Sequence, residues 1–299
     1  MKVSAIILTY NRAHMLREAI ESVLNQTYED FELIVVDNYS SDNTEPLVKS
    51  YSDKRIRYFK NQNNGFIGIN RNFGIEKSHG EYIAFLDDDD LWLPEKLTRQ
   101  VQLLDSDKEI GLIYSDCCVI DSNGDLIANS YFHGRKPVRG NTSGEFFQNN
   151  PVPMLTVVIR KEVLDKIGMF NPIYRMALDY DLWLRIAEYY PIDYIEQSLA
   201  KYRVHSESGY HLNTVSHYQE TLQIMDDWLS REKDTKRRFI GKIKQNKVRV
   251  YLSLISYHFQ NHNRGKALRE SVSLIRLFPY SLVIIPLVIA SLSRSLTRC

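Results

Sequence analysis

Four consecutive carboxylates, Asp87 to Asp90, follow directly on a short apolar run from Tyr82 to Leu86. The apolar run predicts a buried strand, whereas clustered ionised carboxylates repel one another and cannot be buried without partners. In open α/β sheets, ligands bind at the carboxyl ends of the strands. Closely spaced carboxylates favour a hard divalent cation such as Mg²⁺ or Mn²⁺, which in turn favours phosphate oxygens. We therefore predict a metal and phosphate site here; the alternative is a solvated acidic turn.

Two earlier apolar runs also end in polar side chains. Val3 to Thr9 predicts a central parallel strand and is followed by Tyr10, whose ring can stack on a pyrimidine base. Leu33 to Val36 predicts a second strand and is followed by Asp37, whose carboxylate can accept a hydrogen bond from a base or a ribose hydroxyl. A core or turn tyrosine and an ordinary Asx turn are the structural alternatives for these two residues.

The elements between these strand ends alternate in type, which indicates a doubly wound sheet with its ligand loops on one edge. Residues 129–153 are polar and contain Gly and Pro, which predicts a long loop. A helix is predicted after Arg12, with Leu16, Ile20, Val23 and Leu24 on one face. The other predicted elements are helices at about 45–51, 70–77, 93–104, 161–167 and 179–189, strands at 56–59, 111–120, 154–159, near 194 and at 200–204, and helices from about 218 onward.

The composition is that of a folded soluble protein. With 43% hydrophobic and 25% charged residues, the 299-residue chain has material for one large domain and an appendage. The three cysteines, Cys117, Cys118 and Cys299, lack metal-ligand spacing, and the chain opens on a strand-like run rather than a signal sequence. We therefore expect a reducing, cytoplasmic setting.

The net charge of +1 conceals a strong asymmetry along the chain. Residues 231–299 hold 15 of the 38 basic and 3 of the 37 acidic residues, which gives this segment +12 and the first 230 residues −11. Within it, residues 277–293 carry no charge, but two prolines interrupt them and they are short for a spanning helix. The pattern predicts a helix in the interface of an anionic membrane, peripheral on the inner face of the cell membrane. The alternative is a C-terminal helix packed on protein; no nucleic-acid motif accompanies the charge.

Five motifs, in this order, make the chain resemble family 2 glycosyltransferases of the GT-A fold. They are Ile6-Ile-Leu-Thr-Tyr-Asn-Arg12, Val35-Val-Asp-Asn-Tyr-Ser-Ser-Asp-Asn-Thr44, Asn70-Arg-Asn-Phe-Gly-Ile75, Phe85-Leu-Asp-Asp-Asp-Asp-Leu-Trp92 and Asp179-Tyr-Asp-Leu-Trp-Leu-Arg185. The resemblance covers about residues 1–210 and implies a Rossmann-like, mixed α/β sheet flanked by helices. It further implies a catalytic domain at 1–217 and a helical, basic, membrane-associating extension at 218–299.

The resemblance also implies which residues bind the donor and a divalent cation, Mn²⁺ or Mg²⁺. Asp89 and His205 are expected to hold the metal, and Asp90 to orient the loop; a structural histidine is the alternative for His205. Arg71 is expected to bind a pyrophosphate or to pair with Asp37, with a surface ion pair as the alternative. The implied nucleotide-sugar-binding set is Thr9, Tyr10, Arg12, Asp37, Asn70, Arg71, Asp87 and Asp88.

Members of this family are inverting enzymes, so the resemblance implies a single displacement in which a base takes the proton of the acceptor hydroxyl. Asp179, at the start of a predicted helix, matches the base position. Asp181 is the competing candidate, and a helix N-cap is the structural alternative for Asp179. Where relatives carry Glu-Asp this chain has Leu178-Asp179, so a neighbouring contact to the acceptor can be lost.

The predicted function is an inverting glycosyltransferase that moves a sugar from a nucleotide-diphosphate donor, a UDP-sugar. The expected acceptor is a sugar or a lipid-linked glycan in cell-surface polysaccharide or glycolipid synthesis. A sugar-1-phosphate nucleotidyltransferase is one alternative, but the first strand is not followed by the Gly-rich loop of that class. A catalytically silent nucleotide-sugar-binding module is another, against which the acidic run and Asp179 argue. Specificity is expected from residues 129–153 and 176–178.

Overall fold

The structure, a computed structural model, describes residues 1–134, 136–141, 143–147, 150, 152–206, 214–230 and 233–278. The chain divides into two compact units. The first is formed by Met1–Phe146 and Asn150–Ser208, and the second by Phe147–Asn149 and Gly209–Cys299. The predicted catalytic domain, 1–217, and the predicted extension, 218–299, are functional assignments, and they stay predictions.

The first unit combines a sheet with flanking helices. Its strands are β1 (Val3–Thr9), β2 (Phe31–Asp37), β3 (Ile56–Lys60), β4 (Tyr82–Asp87), β5 (Leu91–Trp92), β6 (Leu112–Ile120), β7 (Leu126–Ala128), β8 (Val158–Arg160) and β9 (Ile192–Arg203). Its helices are α1 (Ala13–Leu24), α2 (Thr44–Ser50), α3 (Ile67–Lys77), α4 (Lys96–Ser106), α5 (Ser143–Phe146), α6 (Lys161–Ile167) and α7 (Leu178–Tyr189). The described strands form one nine-stranded mixed sheet in the order β3-β2-β1-β4-β8-β6-β9-β5, with β7 paired to β6.

The parallel half of the sheet consists of β3, β2, β1 and β4. β1 and β2 are buried along their whole length, and most of their residues are apolar, as central parallel strands require. The apolar face of α1 packs on this half. In the register, Thr9 lies beside Asp37 and Leu8 lies beside Asp87. The polar ends of three strands therefore meet at one edge of the sheet.

The other half of the sheet returns the chain to the end of β4. β9 is a single strand of 12 residues where the sequence predicts two short ones. It runs parallel to β6, with Arg203 beside Ile120, and antiparallel to β5, with Lys201 beside Leu91. The acidic turn, residues 87–90 from the last residue of β4 to the start of β5, is thereby held next to the residues that follow β9.

Two further predicted boundaries are corrected. The strand predicted at 154–159 begins only at Val158, because Met154–Thr156 forms a 3-10 helix. The helix predicted from Leu93 begins at Lys96, since the backbone N–H of Leu93 is still hydrogen-bonded to β9. Among the described residues of the predicted loop at 129–153, the short helix α5 is also present.

Lys96, at the start of α4, is completely buried. Its Nζ lies 4.2 Å from the centroid of the Trp92 ring and 3.4 Å from the carbonyl oxygen of Val157. Burial holds the pKa of Lys96 well below its usual value. The side chain therefore serves as core packing beneath β5, a role that its residue type does not predict.

The second unit is helical where it is described, as predicted for the chain after residue 218. Its helices are α8 (Thr214–Ser230), α9 (Lys233–Gln260) and α10 (Arg264–Leu277). Ile255 of α9 packs on Ala267 and Leu274 of α10. Lys247 of α9 forms an ion pair with Asp226 of α8. Apolar packing and the ion pair between Lys247 and Asp226 thus help to connect the three helices to one another.

In the part of the chain that the structure describes, no helix combines the length and the apolar character needed to cross a membrane. The uncharged segment predicted to lie in a membrane interface, 277–293, falls outside the described residues from 279 onward.

Candidate active site

The polar ends of β1 and β2 differ in how far solvent reaches them. Thr9 and Asp37 are buried, whereas the Tyr10 side chain, one residue beyond β1, is 55% exposed. An exposed aromatic ring beside a sheet edge is available for stacking on a base. The structure thus brings these three predicted nucleotide-binding residues to one edge and leaves Tyr10 accessible.

The carboxylate of Asp37 is hydrogen-bonded within the protein. One oxygen accepts bonds from the backbone N–H (2.8 Å) and the hydroxyl (2.6 Å) of Ser40, and the other accepts the hydroxyl of Tyr58. Burial and this bond raise the pKa of Tyr58. The arrangement favours the turn-stabilising alternative for Asp37, and its contact with a base or a ribose stays a prediction.

Arg12 links the end of β1 to the acidic turn. Its Nη1 lies 3.2 Å from Asp88 Oδ1 and 3.0 Å from Asp89 Oδ2. The preceding residue, Asn11, has a φ of 53° and accepts a bond from the backbone N–H of Ser41 at 2.7 Å. Asparagine tolerates the left-handed region better than most residues. The sequence therefore permits the tight turn that directs Arg12 to the carboxylates.

Two carboxylates of the acidic turn are buried, and burial changes their proton affinity. Burial and the charge of Asp89 raise the pKa of Asp88 to about 7, against the opposite effect of Arg12. Burial and Asp89 also raise the pKa of Asp90 well above its usual value. An added cation at this turn would stabilise the ionised form of both groups.

Asp89 meets the chain that returns from β9. Its Oδ2 lies 2.9 Å from His205 Nε2, and their side chains are 14% and 5% exposed. The structure therefore brings together the two residues that the sequence predicts as metal ligands. Over the described ranges of the chain, no group of three or more His, Cys, Asp or Glu side chains is placed to hold an ion.

Two predicted donor-binding residues on α3 reach the same edge. Arg71 is buried, and its Nη2 lies 3.1 Å from Asp87 Oδ1. Asn70 is also buried and accepts a bond from Asn61 Nδ2 at 2.8 Å. The acidic partner of Arg71 is therefore Asp87, and the predicted alternative, an ion pair with Asp37, is wrong.

The two candidate bases on α7 have different surroundings. Asp181 is buried, and its Oδ2 lies 2.9 Å from Nε and 2.8 Å from Nη2 of Arg185. Asp179 is half-buried and accepts bonds from Asn150 Nδ2 at 3.0 Å and from the backbone N–H of Tyr180 at 2.8 Å. Asp181 is thus committed to an ion pair within its helix, which leaves Asp179 as the more accessible carboxylate.

Leu178 is buried against α3. A Cβ on Gly68 would stand 3.1 Å from Leu178 Cδ1, so glycine allows the close approach of the two elements. Gly68 lies three residues before Arg71. The contact therefore fixes the start of α7, which carries Asp179, against the helix that pairs with the acidic turn.

Three residues that sequence reasoning missed complete the site. Asn150 bonds the candidate base, and Nη2 of Arg203 lies 2.7 Å from an oxygen of Glu18. Arg203 could have been identified from the sequence, because it lies two residues before the predicted metal ligand His205. Nothing in their residue types distinguishes Asn150 and Glu18 from other polar positions.

The edge combines groups that suit an anionic aromatic ligand. The exposed ring of Tyr10 can stack on a base, and Arg12 and Arg71 can bind phosphate oxygens. Asp89 and His205 offer an oxygen and a nitrogen ligand to a cation. The arrangement is therefore chemically suited to a nucleoside diphosphate and a divalent cation.

Asp181→Asn is expected to lower the free energy of unfolding by about 1–3 kcal/mol, because it leaves Arg185 without its charged partner. Asp179→Asn, on the same helix, is the matched control and is expected to change this quantity by less than about 1 kcal/mol. Urea denaturation of both variants and the wild type measures the difference. Equal losses in the two variants would contradict the assignment of Asp181 to a structural role.

Residues 4–178 match the family described as Glycosyl transferase family 2. An uncharacterized glycosyltransferase of Methanocaldococcus jannaschii is 35% identical over 213 residues, which are 70% of this chain and 72% of the relative. The UDP-Glc:alpha-D-GlcNAc-diphosphoundecaprenol beta-1,3-glucosyltransferase WfgD of Escherichia coli is 31% identical over 229 residues, 76% and 86% of the two chains. Other relatives are longer, and the match spans 37% of the length of two Rickettsia glycosyltransferases.

A solved structure supports the fold. The mannosyltransferase PcManGT from Pyrobaculum calidifontis, determined in complex with GDP-Man and Mn²⁺, is 18% identical with a TM-score of 0.66, over 99% of this chain and 80% of that one. At this identity the likeness shows the fold alone, and it confirms the predicted mixed sheet flanked by helices. With the family match over 4–178, it follows that this chain belongs to glycosyl transferase family 2 and is a glycosyltransferase of the GT-A fold.

Proposed function

We propose that this glycosyltransferase is inverting and moves a sugar from a nucleotide-diphosphate donor, a UDP-sugar, to an acceptor hydroxyl by single displacement. The observation that carries the proposal is the meeting of Arg12, Asp89 and His205 at the strand edge beside the exposed Tyr10. A UDP donor is supported by the name of the E. coli relative, which specifies UDP-Glc. Family membership favours glycosyl transfer over a nucleotidyltransferase or a silent binding module.

In this proposal the donor binds along the ends of β1, β2 and β4. Tyr10 stacks on the base, Arg12 and Arg71 face the diphosphate, and Asp87 and Asp88 face the ribose. Both arginines are paired with carboxylates of the acidic turn. When the donor binds, they would exchange these carboxylates for phosphate oxygens. The buried members of the predicted set, Thr9, Asp37 and Asn70, support the edge from within the fold.

Asp89 and His205 fit one side of a divalent-cation site. Neighbouring ligands of an octahedral ion with bonds of about 2.0–2.1 Å lie about 3 Å apart, and Asp89 Oδ2 and His205 Nε2 are 2.9 Å apart. Such ions keep several waters and take other ligands from substrate phosphates, so two protein ligands suffice. Mn²⁺ or Mg²⁺ held there supplies positive charge to the leaving nucleoside diphosphate. Mn²⁺ in the P. calidifontis structure supports this use of a metal.

Asp179 is the general base of the proposed reaction. As the acceptor oxygen bonds to the anomeric carbon, the bond from that carbon to the diphosphate oxygen breaks, and Asp179 takes the acceptor proton. Asn150 and the Tyr180 N–H hold the carboxylate in one orientation. Because attack and departure occur on opposite faces of the anomeric carbon, its configuration inverts.

Asp179→Asn is expected to reduce turnover about 10²- to 10⁴-fold, because an amide cannot take the acceptor proton. Donor affinity is expected to change little. Release of UDP with lipid-diphosphate-linked sugars as acceptors measures turnover, and calorimetric titration with the UDP-sugar measures affinity. Asp181→Asn, assayed where it is folded, is the control; near wild-type turnover in Asp179→Asn together with loss in Asp181→Asn would show that the base is misassigned.

Exhaustive EDTA treatment is expected to abolish transfer, and Mn²⁺ or Mg²⁺ to restore it, since both ions favour oxygen ligands shared with phosphate. Asp89→Asn is expected to abolish transfer with little change in thermal stability, because it removes an ion ligand but little packing. The exposed Asp125, in the turn between β6 and β7, gives the control Asp125→Asn, which should transfer normally. Activity undiminished by EDTA would exclude the metal from the mechanism.

For the acceptor, we propose a lipid-linked glycan in cell-surface polysaccharide or glycolipid synthesis. The name of the E. coli relative specifies an acceptor on diphosphoundecaprenol, and such a lipid presents its sugar at a membrane surface. An enzyme that acts on it gains from binding the same surface. We therefore propose a cytoplasmic protein that docks peripherally on the anionic inner face of the cell membrane.

The exposed surface of α10 supports this docking. Residues four positions apart lie in one row along a helix, and one such row is Arg264, Leu268, Val272 and Arg276, all of them exposed. Leu268 is 67% exposed and Val272 is 40% exposed. Two apolar side chains between two arginines suit the boundary of anionic headgroups and acyl chains.

Leu268→Glu combined with Val272→Glu is expected to weaken binding to anionic vesicles, because it places carboxylates in the apolar part of the row. Co-sedimentation with phosphatidylglycerol vesicles at low and high salt measures the binding, which should fall at high salt. Leu126→Glu with Ile127→Glu is the control, since these two residues on β7 are comparably exposed. A wild-type protein that stays in the supernatant at low salt would contradict the docking.

A further inference from the structure

Arg203, the last residue of β9, is buried, and each nitrogen of its guanidinium donates a hydrogen bond. Nε donates to the carbonyl of Asp89 at 2.8 Å, Nη1 to the carbonyl of Ser122 at 3.3 Å, and Nη2 to Glu18 Oε2 at 2.7 Å. Its backbone N–H donates to Asp90 Oδ1 at 2.8 Å. One residue thus joins α1, the acidic turn and the turn after β6.

These bonds hold the acidic turn from the side of β9. Arg203 bonds the backbone of Asp89, and His205, two residues further along, meets the side chain of Asp89 at 2.9 Å. The turn contains like charges that repel one another, so its conformation depends on donors that oppose this repulsion. The distance between Asp89 and His205 therefore depends on the attachment of the turn to the end of β9.

We propose that Arg203 is a positioning residue for the divalent-cation site: it sets the distance between Asp89 and His205. The inference rests on the metal site of the proposed function. Arginine is required because its planar guanidinium donates in three directions at once, whereas lysine offers one nitrogen. Loss of a partner behind the metal ligands typically weakens metal affinity by about 10- to 100-fold.

The test is a titration of wild type and Arg203→Lys with Mn²⁺ in the presence of UDP, followed by the electron paramagnetic resonance signal of unbound Mn²⁺. Arg203→Lys is expected to bind Mn²⁺ about 10- to 100-fold more weakly. The Glu18 side chain is 53% exposed, and glutamine keeps an oxygen acceptor for Arg203 Nη2, so Glu18→Gln is expected to stay within about fivefold of wild type. Wild-type affinity in a folded Arg203→Lys would overturn the proposal.

Arg160 provides a matched control. It is the last residue of β8, is buried, and donates to the carbonyls of Leu104, Asp107 and Ile110. It pairs with the first residue of β4, at the edge of the sheet opposite the acidic turn. Arg160→Lys is expected to lower the thermal midpoint as Arg203→Lys does but to leave Mn²⁺ affinity unchanged. Equal losses of Mn²⁺ affinity in the two variants would mean a general loss of stability and would overturn the proposal.

If Arg203→Lys does not fold, two variants of Asp90 provide a second test. Asp90→Asn retains an acceptor for the Arg203 N–H, whereas Asp90→Ala removes it. Asp90→Ala is expected to bind Mn²⁺ more weakly than Asp90→Asn, and equal affinities would overturn the proposal. If the wild-type protein binds no Mn²⁺ in the presence of UDP, both the proposed metal site and this inference are wrong. If the wild-type protein binds Mn²⁺ and the variants bind it with the same affinity, this inference alone is wrong.

Discussion

Repulsion among the carboxylates that end β4 is the constraint on which the rest of the site depends. Four consecutive aspartates cannot be held at a partly buried sheet edge unless cations and N–H donors oppose their charges. Three different elements supply those donors: Arg12 precedes α1, Arg71 lies on α3, and Arg203 ends β9. Arginines from three separate elements of the first unit therefore contact the acidic turn. The position of the turn depends on all three of them.

The topology of the sheet explains how those elements reach one turn. The parallel half places the carboxyl ends of β1, β2 and β4 side by side, which gathers residues that are distant in sequence. β9 then runs parallel to β6 but antiparallel to the two-residue strand β5, so the end of β9 arrives at the turn from the other side. The edge formed by the parallel strands thus gains His205, which follows a strand more than a hundred residues later in the chain.

The strand ends could be predicted because a central parallel strand is apolar at nearly every position, and its first polar residues mark the sheet edge. Tyr10 and the acidic run were located in this way. Pairings could not be predicted: the choice of Asp87 rather than Asp37 as the partner of Arg71 depends on which turn of α3 faces the sheet. The burial of Lys96 could not be predicted either, because lysine is almost always a surface residue and this burial depends on the ring of Trp92.

The partners of the two carboxylates on α7 show why the base is proposed to lie apart from the acidic turn. Asp181 lies beside the guanidinium of Arg185 and is held in an ion pair within its own helix. Within the acidic turn, Asp87 lies beside Arg71, and Asp88 and Asp89 lie beside Arg12. Asp179 is instead oriented by the neutral amide of Asn150 and by a peptide N–H. Neutral donors fix the direction of the oxygens without placing a full positive charge beside them, which suits a group that must accept a proton during each turnover.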